Sequence, residues 1–430
     1  MPVFFAKGGV SKRFSDDELQ EALKEVFEKL GPRRKVLIVP PDFTRYHSRA
    51  GRITELAWEH YGEAVSDIIP ALGTHAPVSH YQRSKMFGSV PAELFRVHDW
   101  RNSVVTIGEV PADMVVKASS GHLDLPWPAQ LNRLAWEGGH DLILSVGQVV
   151  PHEVMGMANY NKNLLIGLGG KEAIDLSHFT GAAYGMEKMM GHADNPLRQI
   201  LNSASEKFLS HLPVVYVLTV VGPDEAGQES SPLVLRGLYV ADDISCFNQA
   251  AALSVEVNFT LLEEPLAKVV VHLDPEEFQS MWLGNKSIYR TRMAMADSGH
   301  LIVLAPGLSR FGEDEAVDKL IRKYGYRGTP EVMAFLTESL ELKENLSVAA
   351  HLIHGSPEGR FKVTYCPGGL TQEEVEGVGY NYGDLGDMLK LYDPESLQEG
   401  WNEVQGELIY FISKPSLGLW ATRNRMRKEK

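Results

Sequence analysis

The densest run of reactive side chains is Pro151-His152-Glu153-Val154-Met155-Gly156-Met157-Ala158-Asn159-Tyr160-Asn161-Lys162-Asn163, which continues through Gly167-Leu168-Gly169-Gly170-Lys171 to His178. A lysine in a passage rich in Gly and Asn serves as a point charge for a phosphate or as a nucleophile, because glycine lets backbone amides approach a ligand closely. Histidine titrates near neutrality, so His152 and His178 are candidates for proton transfer or metal ligation. Two further segments carry related chemistry, Asp42-Phe43-Thr44-Arg45 and Gly73-Thr74-His75. The planar guanidinium of Arg45 suits bidentate capture of a carboxylate. The usual phosphate signatures are absent: the run contains no GxxxxGK[ST], and no GxGxxG follows a strand here. A direct zinc site on His75, His152 and His178 is one reading. Against it, each histidine lies on a different loop, and His152-Glu153 is followed by Val154-Met155-Gly156, so HExxH fails.

Such residues need a scaffold that brings distant loops together. Runs rich in Val, Ile and Leu recur at Lys35 to Pro40, Asp67 to Leu72, Val104 to Val110, Asp141 to Val146 and Val214 to Val221, with helical patterns between them. This alternation predicts an α/β fold of mostly parallel, doubly wound sheets. Ser15 followed by Asp16, Asp17 and Glu18 reads as an N-cap with acid in the first turn. Leu19, Leu23, Val26, Phe27 and Leu30 then recur at helical spacing until Gly31-Pro32. Three apolar runs end in the loops that hold Asp42 to Arg45, His75 and His152. Ligands of open α/β sheets bind at the carboxyl ends of strands, so these loops are expected to converge.

Two domains are expected from 430 residues at 44% hydrophobic content. The boundaries read as 1–265 for an N-terminal cofactor-binding catalytic domain and 266–404 for a smaller α/β domain closing over the substrate, with the active site at the domain interface. The tail, about 405–430, is read as able to pack back on the first domain, and Glu407 to Ile412 as able to pair in either sheet. In the second half, Leu266 to Leu273, Leu301 to Ala305, Val348 to Ile353 and Phe361 to Tyr365 read as strands, and Asp274-Pro275-Glu276-Glu277 as a helix start. Met1 to Lys35 has no apolar core flanked by basic residues, and no apolar run reaches membrane-spanning length, so the expected location is the cytoplasm. The two cysteines, Cys246 and Cys366, form no CxxC, which argues against a disulfide framework or an iron-sulfur cluster. A formal charge of −14 argues against nucleic acid as a partner, since the one basic cluster, Arg423 to Lys430, reads as a solvated helix end. An anionic substrate must then be captured by local arginines. A homo-oligomer is compatible with the sequence.

The Asp42-Phe43-Thr44-Arg45 segment, the Gly73-Thr74-His75 turn and the spacing of His152, Lys162 and His178 resemble lactate racemase and its nickel-dependent relatives. In that family a proline-preceded histidine is followed ten residues later by the lysine that carries the cofactor, and sixteen residues after that by the histidine that ligates nickel. Positions 152, 162 and 178 reproduce both spacings. The resemblance implies an isomerase, a racemase or epimerase of 2-hydroxy acids. It implies that Lys162 is covalently joined to a nickel pincer nucleotide, a pyridinium-3-thioamide-5-thiocarboxylic acid mononucleotide, loaded by cofactor-biosynthesis enzymes. His178 would be the protein's nickel ligand, Asp42, Thr44, Asn161 and Asn163 would line the cofactor, and His75 and His152 would be the acid/base pair. Arg45 would hold the substrate carboxylate. One histidine would take the hydroxyl proton while hydride passes to the cofactor, giving a planar keto acid, and hydride return to the other face would invert the centre. Lys171, after Gly169-Gly170, is a second candidate for the tether.

The match departs from the lactate-acting pattern in the second half. Those relatives carry Tyr-Gln followed by Lys, and the corresponding stretch here is Ser287-Ile288-Tyr289-Arg290-Thr291-Arg292-Met293. Tyr289, Arg290, Arg292 and Lys286 are the substrate-binding candidates, with two of the three cations expected to be surface charge. A larger, more oxygenated substrate than lactate follows, a sugar acid of the aldonate type being favoured. Two other readings stay open: a hydrolase or lyase whose three histidines bind zinc or iron directly, and a non-catalytic carrier of the pincer cofactor. Retention of both His75 and His152 favours catalysis over carriage.

Overall fold

The structure is a computed structural model, and it describes residues 3–224 and 233–426. The chain divides into two compact units. The first comprises residues 1–180 and 190–258, and the second 181–189 and 259–430. No helix among the described residues is long and apolar enough to cross a membrane.

The first unit is built on a six-stranded sheet of β1 (Phe5–Gly8), β2 (Val36–Val39), β3 (Val65–Ile68), β4 (Leu142–Gln148), β5 (Val214–Gly222) and β6 (Val234–Ala241), in the order β1-β6-β5-β4-β2-β3. The four strands β3, β2, β4 and β5 are parallel, whereas β6 and β1 run antiparallel at one edge. Every residue of β2, β4 and β5 is buried, as expected for strands covered on both faces. The helix Asp16–Leu30 forms where the sequence places it. Ser15 accepts from Glu18 N, Glu18 accepts from Ser15 N, and Leu19, Leu23, Val26, Phe27 and Leu30 are buried against the sheet core. Gly31 ends it at φ 72°, in a region that disfavours other residues.

The second unit holds its own six-stranded sheet: β7 (Leu266–His272), β8 (Met295–Ala305), β9 (Lys362–Pro367), β10 (Asn381–Tyr382), β11 (Gly400–Val404) and β12 (Glu407–Ile412), in the order β10-β9-β8-β7-β12-β11. All neighbours are parallel except β11 and β12. Glu407–Ile412 therefore joins the second sheet, hydrogen-bonded to β7 and β11.

Several local expectations are corrected. Val104–Val110 is a strand, but it pairs antiparallel with Trp127–Asn132 in a separate two-stranded sheet. Thr106 and Glu109 interrupt its apolar character, and most of it is only half-buried, unlike a central parallel strand. Val348 to Ile353 lies within a helix, Leu346–Gly355, because a short apolar run does not discriminate helix from strand and Ala349-Ala350 favours the helix. Asp274 starts a turn rather than a helix: its side chain accepts from Glu276 N at 2.8 Å, and the next helix, Met281–Gly284, is capped by Ser280. The basic cluster is not wholly solvated. Arg425 donates to the carbonyls of Arg292 and Met295 at 3.1 and 2.9 Å, while residues 427–430 lie outside the described residues.

Candidate active site

Because β4, β2 and β3 are adjacent and parallel, the loops leaving their carboxyl ends start side by side. They carry Asp42, Thr44 and Arg45 after β2, His75 after β3 and His152 after β4. A bridge between Pro41 and Ala71 continues the β2–β3 pairing into the loops. Asp42 then caps a 3-10 turn, Phe43–Ser48, accepting from Thr44 N at 3.1 Å and from Thr44 Oγ1 at 2.6 Å. The other carboxylate oxygen of Asp42 contacts Nδ1 of His75. Gly73, at φ 56°, donates to the carbonyl of Gly167 at 2.9 Å and anchors the His75 turn.

The two candidate acid/base histidines have opposite backings. With Asp42 accepting the Nδ1 proton, the neutral ring of His75 keeps its lone pair on Nε2. Nδ1 of His152 instead accepts from Val154 N at 3.1 Å. A backbone N–H can only donate, so the neutral ring of His152 carries its proton on Nε2. His152 is buried, in a short antiparallel pairing of Pro151–His152 with Gly156–Met157.

Lys162 sits in the first turn of a short helix, Asn161–Leu165. Its amine is enclosed by protein while the residue as a whole retains some accessible surface. Burial pulls the amine down to about 8, Arg45 and Arg198 push the same way, and Glu153 and Asp42 oppose them. A substantial neutral fraction near neutral pH makes this amine a nucleophile, which an ordinary surface lysine is not. His178 lies sixteen residues on, in the helix Lys171–Tyr184. Its Nδ1 donates to the carbonyl of Ile174 at 2.7 Å, which leaves the lone pair of the neutral ring on Nε2, the nitrogen able to ligate a metal. Burial holds the ring below its usual range, and the charge of Lys162 adds to that shift, so both groups belong to one electrostatic environment. A neutral ring is the form that binds a metal.

The remaining cofactor candidates bear mainly on shape. Asn161 donates to Asn202 at 2.8 Å and accepts from Arg198 at 2.7 Å. Asn163 donates to the Val39 carbonyl and to Ser145 Oγ, both at 3.1 Å, which ties the lysine helix to β2 and β4. The glycines after it serve packing as well. A Cβ at Gly167 would stand 2.4 Å from the Asn163 carbonyl, and one at Gly169 2.2 Å from that of Leu165. His98 is structural, bonded to the Gly169 carbonyl at 3.0 Å and to Asn132 at 2.9 Å. Lys171 is engaged by Asp175 at 2.5 Å, one turn along its helix. Among the described residues no three His, Cys, Asp or Glu side chains cluster as metal ligands, so His75, His152 and His178 do not form a direct metal site.

In the second unit, Lys286, Tyr289 and Arg290 lie on the helix Lys286–Thr291, which Arg292 follows as its cap. All three cations are buried, with 5%, 0% and 6% of Lys286, Arg290 and Arg292 exposed, which overturns the expectation of surface charge. Arg292 donates to Glu187 at 3.2 Å and to the His354 carbonyl at 3.1 Å. It lines a cavity of about 240 Å³ with Glu187, Lys188, Thr329, His354 and Glu358. Tyr289 Oη lies 2.7 Å from Nδ1 of His351, whose Nε2 lies 2.7 Å from Tyr326 Oη. Sequence reasoning missed His351, because its run was read as a strand. It also missed Arg198, whose only local signal is the Asn195-Pro196 helix start, and gave no role to Glu153, which it quoted in the reactive run and in the failed zinc motif.

Residues 15–190 match the family model described as lactate racemase N-terminal domain. That segment is lactate racemase-like. Similarity of fold to solved structures covers nearly the whole length. A lactate racemase apoprotein from Thermoanaerobacterium thermosaccharolyticum superposes with a TM-score of 0.68 at 19% identity, covering 95% of this chain and 93% of that one. A Thermotoga maritima protein solved as a structural-genomics target superposes with a TM-score of 0.82 at 24% identity, covering 97% of this chain and all of that one (100%). No curated protein is significantly similar to the sequence.

Proposed function

We propose that this lactate racemase-like chain is a nickel pincer nucleotide-dependent racemase or epimerase of 2-hydroxy acids. The observation that carries the reading is the enclosed amine of Lys162, drawn down to about 8, sharing its surroundings with a histidine whose second nitrogen is already committed to a carbonyl. The residues fit a group that brings most of its own metal donors: one protein ligand, His178, and one acylatable amine, Lys162, with no protein-only metal cluster among the described residues. When bound, the group supplies a hydride acceptor, so that the hydroxyl-bearing carbon passes through a planar keto acid.

The chain's own residues do the rest. Arg45 pairs with the substrate carboxylate. His75, backed by Asp42, takes the hydroxyl proton at Nε2, and the carboxylate stabilises the imidazolium that results. His152 donates a hydrogen bond to the substrate oxygen from Nε2 while Val154 N–H occupies its other nitrogen. To act as base for the opposite epimer, His152 must give up the Val154 contact and move its proton, so the two directions start from different tautomers. Asp42, Thr44, Asn161 and Asn163 shape the cofactor side. Lys286, Tyr289, Arg290 and Arg292 are the proposed substrate-recognition residues. Arg290 and Met293, standing where lactate-acting relatives have Gln and Lys, favour a sugar acid of the aldonate type over lactate.

The test is intact-protein mass spectrometry with metal analysis, on protein produced together with the cofactor-synthesis enzymes, followed by peptide mapping. A nucleotide-sized adduct on Lys162 with stoichiometric nickel is expected, and epimerisation is then sought by chiral separation across aldonates and shorter hydroxy acids. An unmodified mass under conditions that load a lactate racemase overturns the reading.

A further inference from the structure

The segment that delivers Lys162 is backbone-strained, and one buried side chain gathers it. Asn159 and Tyr160 both have positive φ, 67° and 61°, which non-glycine residues rarely adopt. Arg198, 1% exposed, donates to the Met157 carbonyl at 2.6 Å, the Asn159 carbonyl at 3.2 Å and Asn161 Oδ1 at 2.7 Å. The guanidinium therefore bridges three residues across the strained pair and ends one residue short of Lys162. We propose that Arg198 is the positioning residue for the tether, a clamp that holds the Asn159–Tyr160 turn in the shape that presents the Lys162 amine; this rests on the reading of Lys162 as the attachment point.

Three further observations support the clamp. Arg198 makes no ion pair with any carboxylate among the described residues, and burial without a counter-ion opposes its charge. Arginine nevertheless stays charged in proteins, so the fold bears that cost for a grip of carbonyls alone. The guanidinium also lies 4.5 Å over Phe247, and Tyr160 packs against the same ring at 5.5 Å and against Tyr216 at 4.4 Å. Arginine and strained tyrosine are thus fixed by one aromatic wall. Finally, Gly147 of β4 makes room for the turn, since a Cβ there would stand 2.1 Å from Asn159 Nδ2. Lysine could not replace the clamp: its ammonium lacks the planar fork that reaches separated acceptors.

The test uses apoprotein, so it does not depend on loading. Wild type, Arg198→Met and Arg198→Lys are acetylated from neutral to alkaline pH, and Lys162 is quantified by peptide mass against Lys171 as internal reference. Amide exchange over residues 156–165 is followed in parallel. In Arg198→Met the Lys162 midpoint should move up, because a cation is removed and the amine meets more water, and exchange in this segment should rise at least about tenfold. Arg198→Lys should keep part of the midpoint and lose the exchange protection. A folded Arg198→Met with the wild-type Lys162 profile and wild-type exchange overturns the clamp. Should Arg198→Met fail to fold, wild-type exchange in Arg198→Lys does the same. Wild type that never acquires the adduct sinks the proposed function but leaves the clamp measurable.

Discussion

The two units use polar side chains in opposite ways. In the first, three candidate histidines each have one ring nitrogen committed: His75 to Asp42 and His152 to Val154 N–H, both on loops beyond parallel strands, and His178, in the helix Lys171–Tyr184, to the Ile174 carbonyl. In the second, the polar groups around Tyr289 form a buried network. Tyr289 and Tyr326 bracket His351, Trp282 stacks on it at 4.3 Å, and Asn285 accepts from Tyr365 at 2.7 Å. The first pattern presets tautomers and leaves a nitrogen for chemistry, whereas the second stiffens a framework. Reactivity and rigidity are thus divided within one chain.

The sharpest break of that comparison is Lys162→Ala, which should reduce the nucleotide adduct to background in intact mass spectra while the protein stays folded. Next, Asp42→Asn should leave the adduct in place and lower turnover by about 10²-fold, since the proposed base His75 loses its carboxylate backing while Lys162 is untouched. If turnover by the loaded variant matched wild type, the presetting of His75 by Asp42 would have no catalytic meaning. In the second unit, Tyr289→Phe strands a buried nitrogen of His351 and should cost roughly 1–2 kcal/mol in denaturant unfolding, without touching the adduct. A stability loss of that size from Asp42→Asn, with none from Tyr289→Phe, would reverse the division of roles.

The smallest effect is in pH linkage. The folded amine of Lys162 sits near 8 and the unfolded one near 10.5, so between those values the unfolded chain binds more protons and stability rises with pH. This contribution is fully present above the unfolded value and lost as pH falls through the folded one. Wild type should therefore gain on Lys162→Met across that window, measured as the difference in unfolding midpoints. A flat difference would mean that the amine is not held in a low-dielectric site.

Legibility followed chemistry and local pattern. The helix Asp16–Leu30 was readable to its caps because Ser15, Glu18 and Gly31 act within one turn of the chain. The spacing of His152, Lys162 and His178 was readable because a strand-end loop and a following helix keep their order in sequence. Val104–Val110 and Val348 to Ile353 misled because pairing partner and burial on both faces are non-local. The burial of Lys286, Arg290 and Arg292 was illegible for the same reason: charge type does not reveal what surrounds it.

By itself, the sequence determined which side chains are available, their order along parallel strands, and the length of chain between Lys162 and His178. Only the tertiary structure decided their states. Which nitrogen of His75 or His152 holds a proton depends on Asp42, 33 residues away from His75, and on the hairpin that presents Val154 N–H. How far the amine of Lys162 falls depends on burial and on Arg45 and Arg198 from other segments. Protonation is set by the local field, and that field is summed over neighbours that only folding brings together.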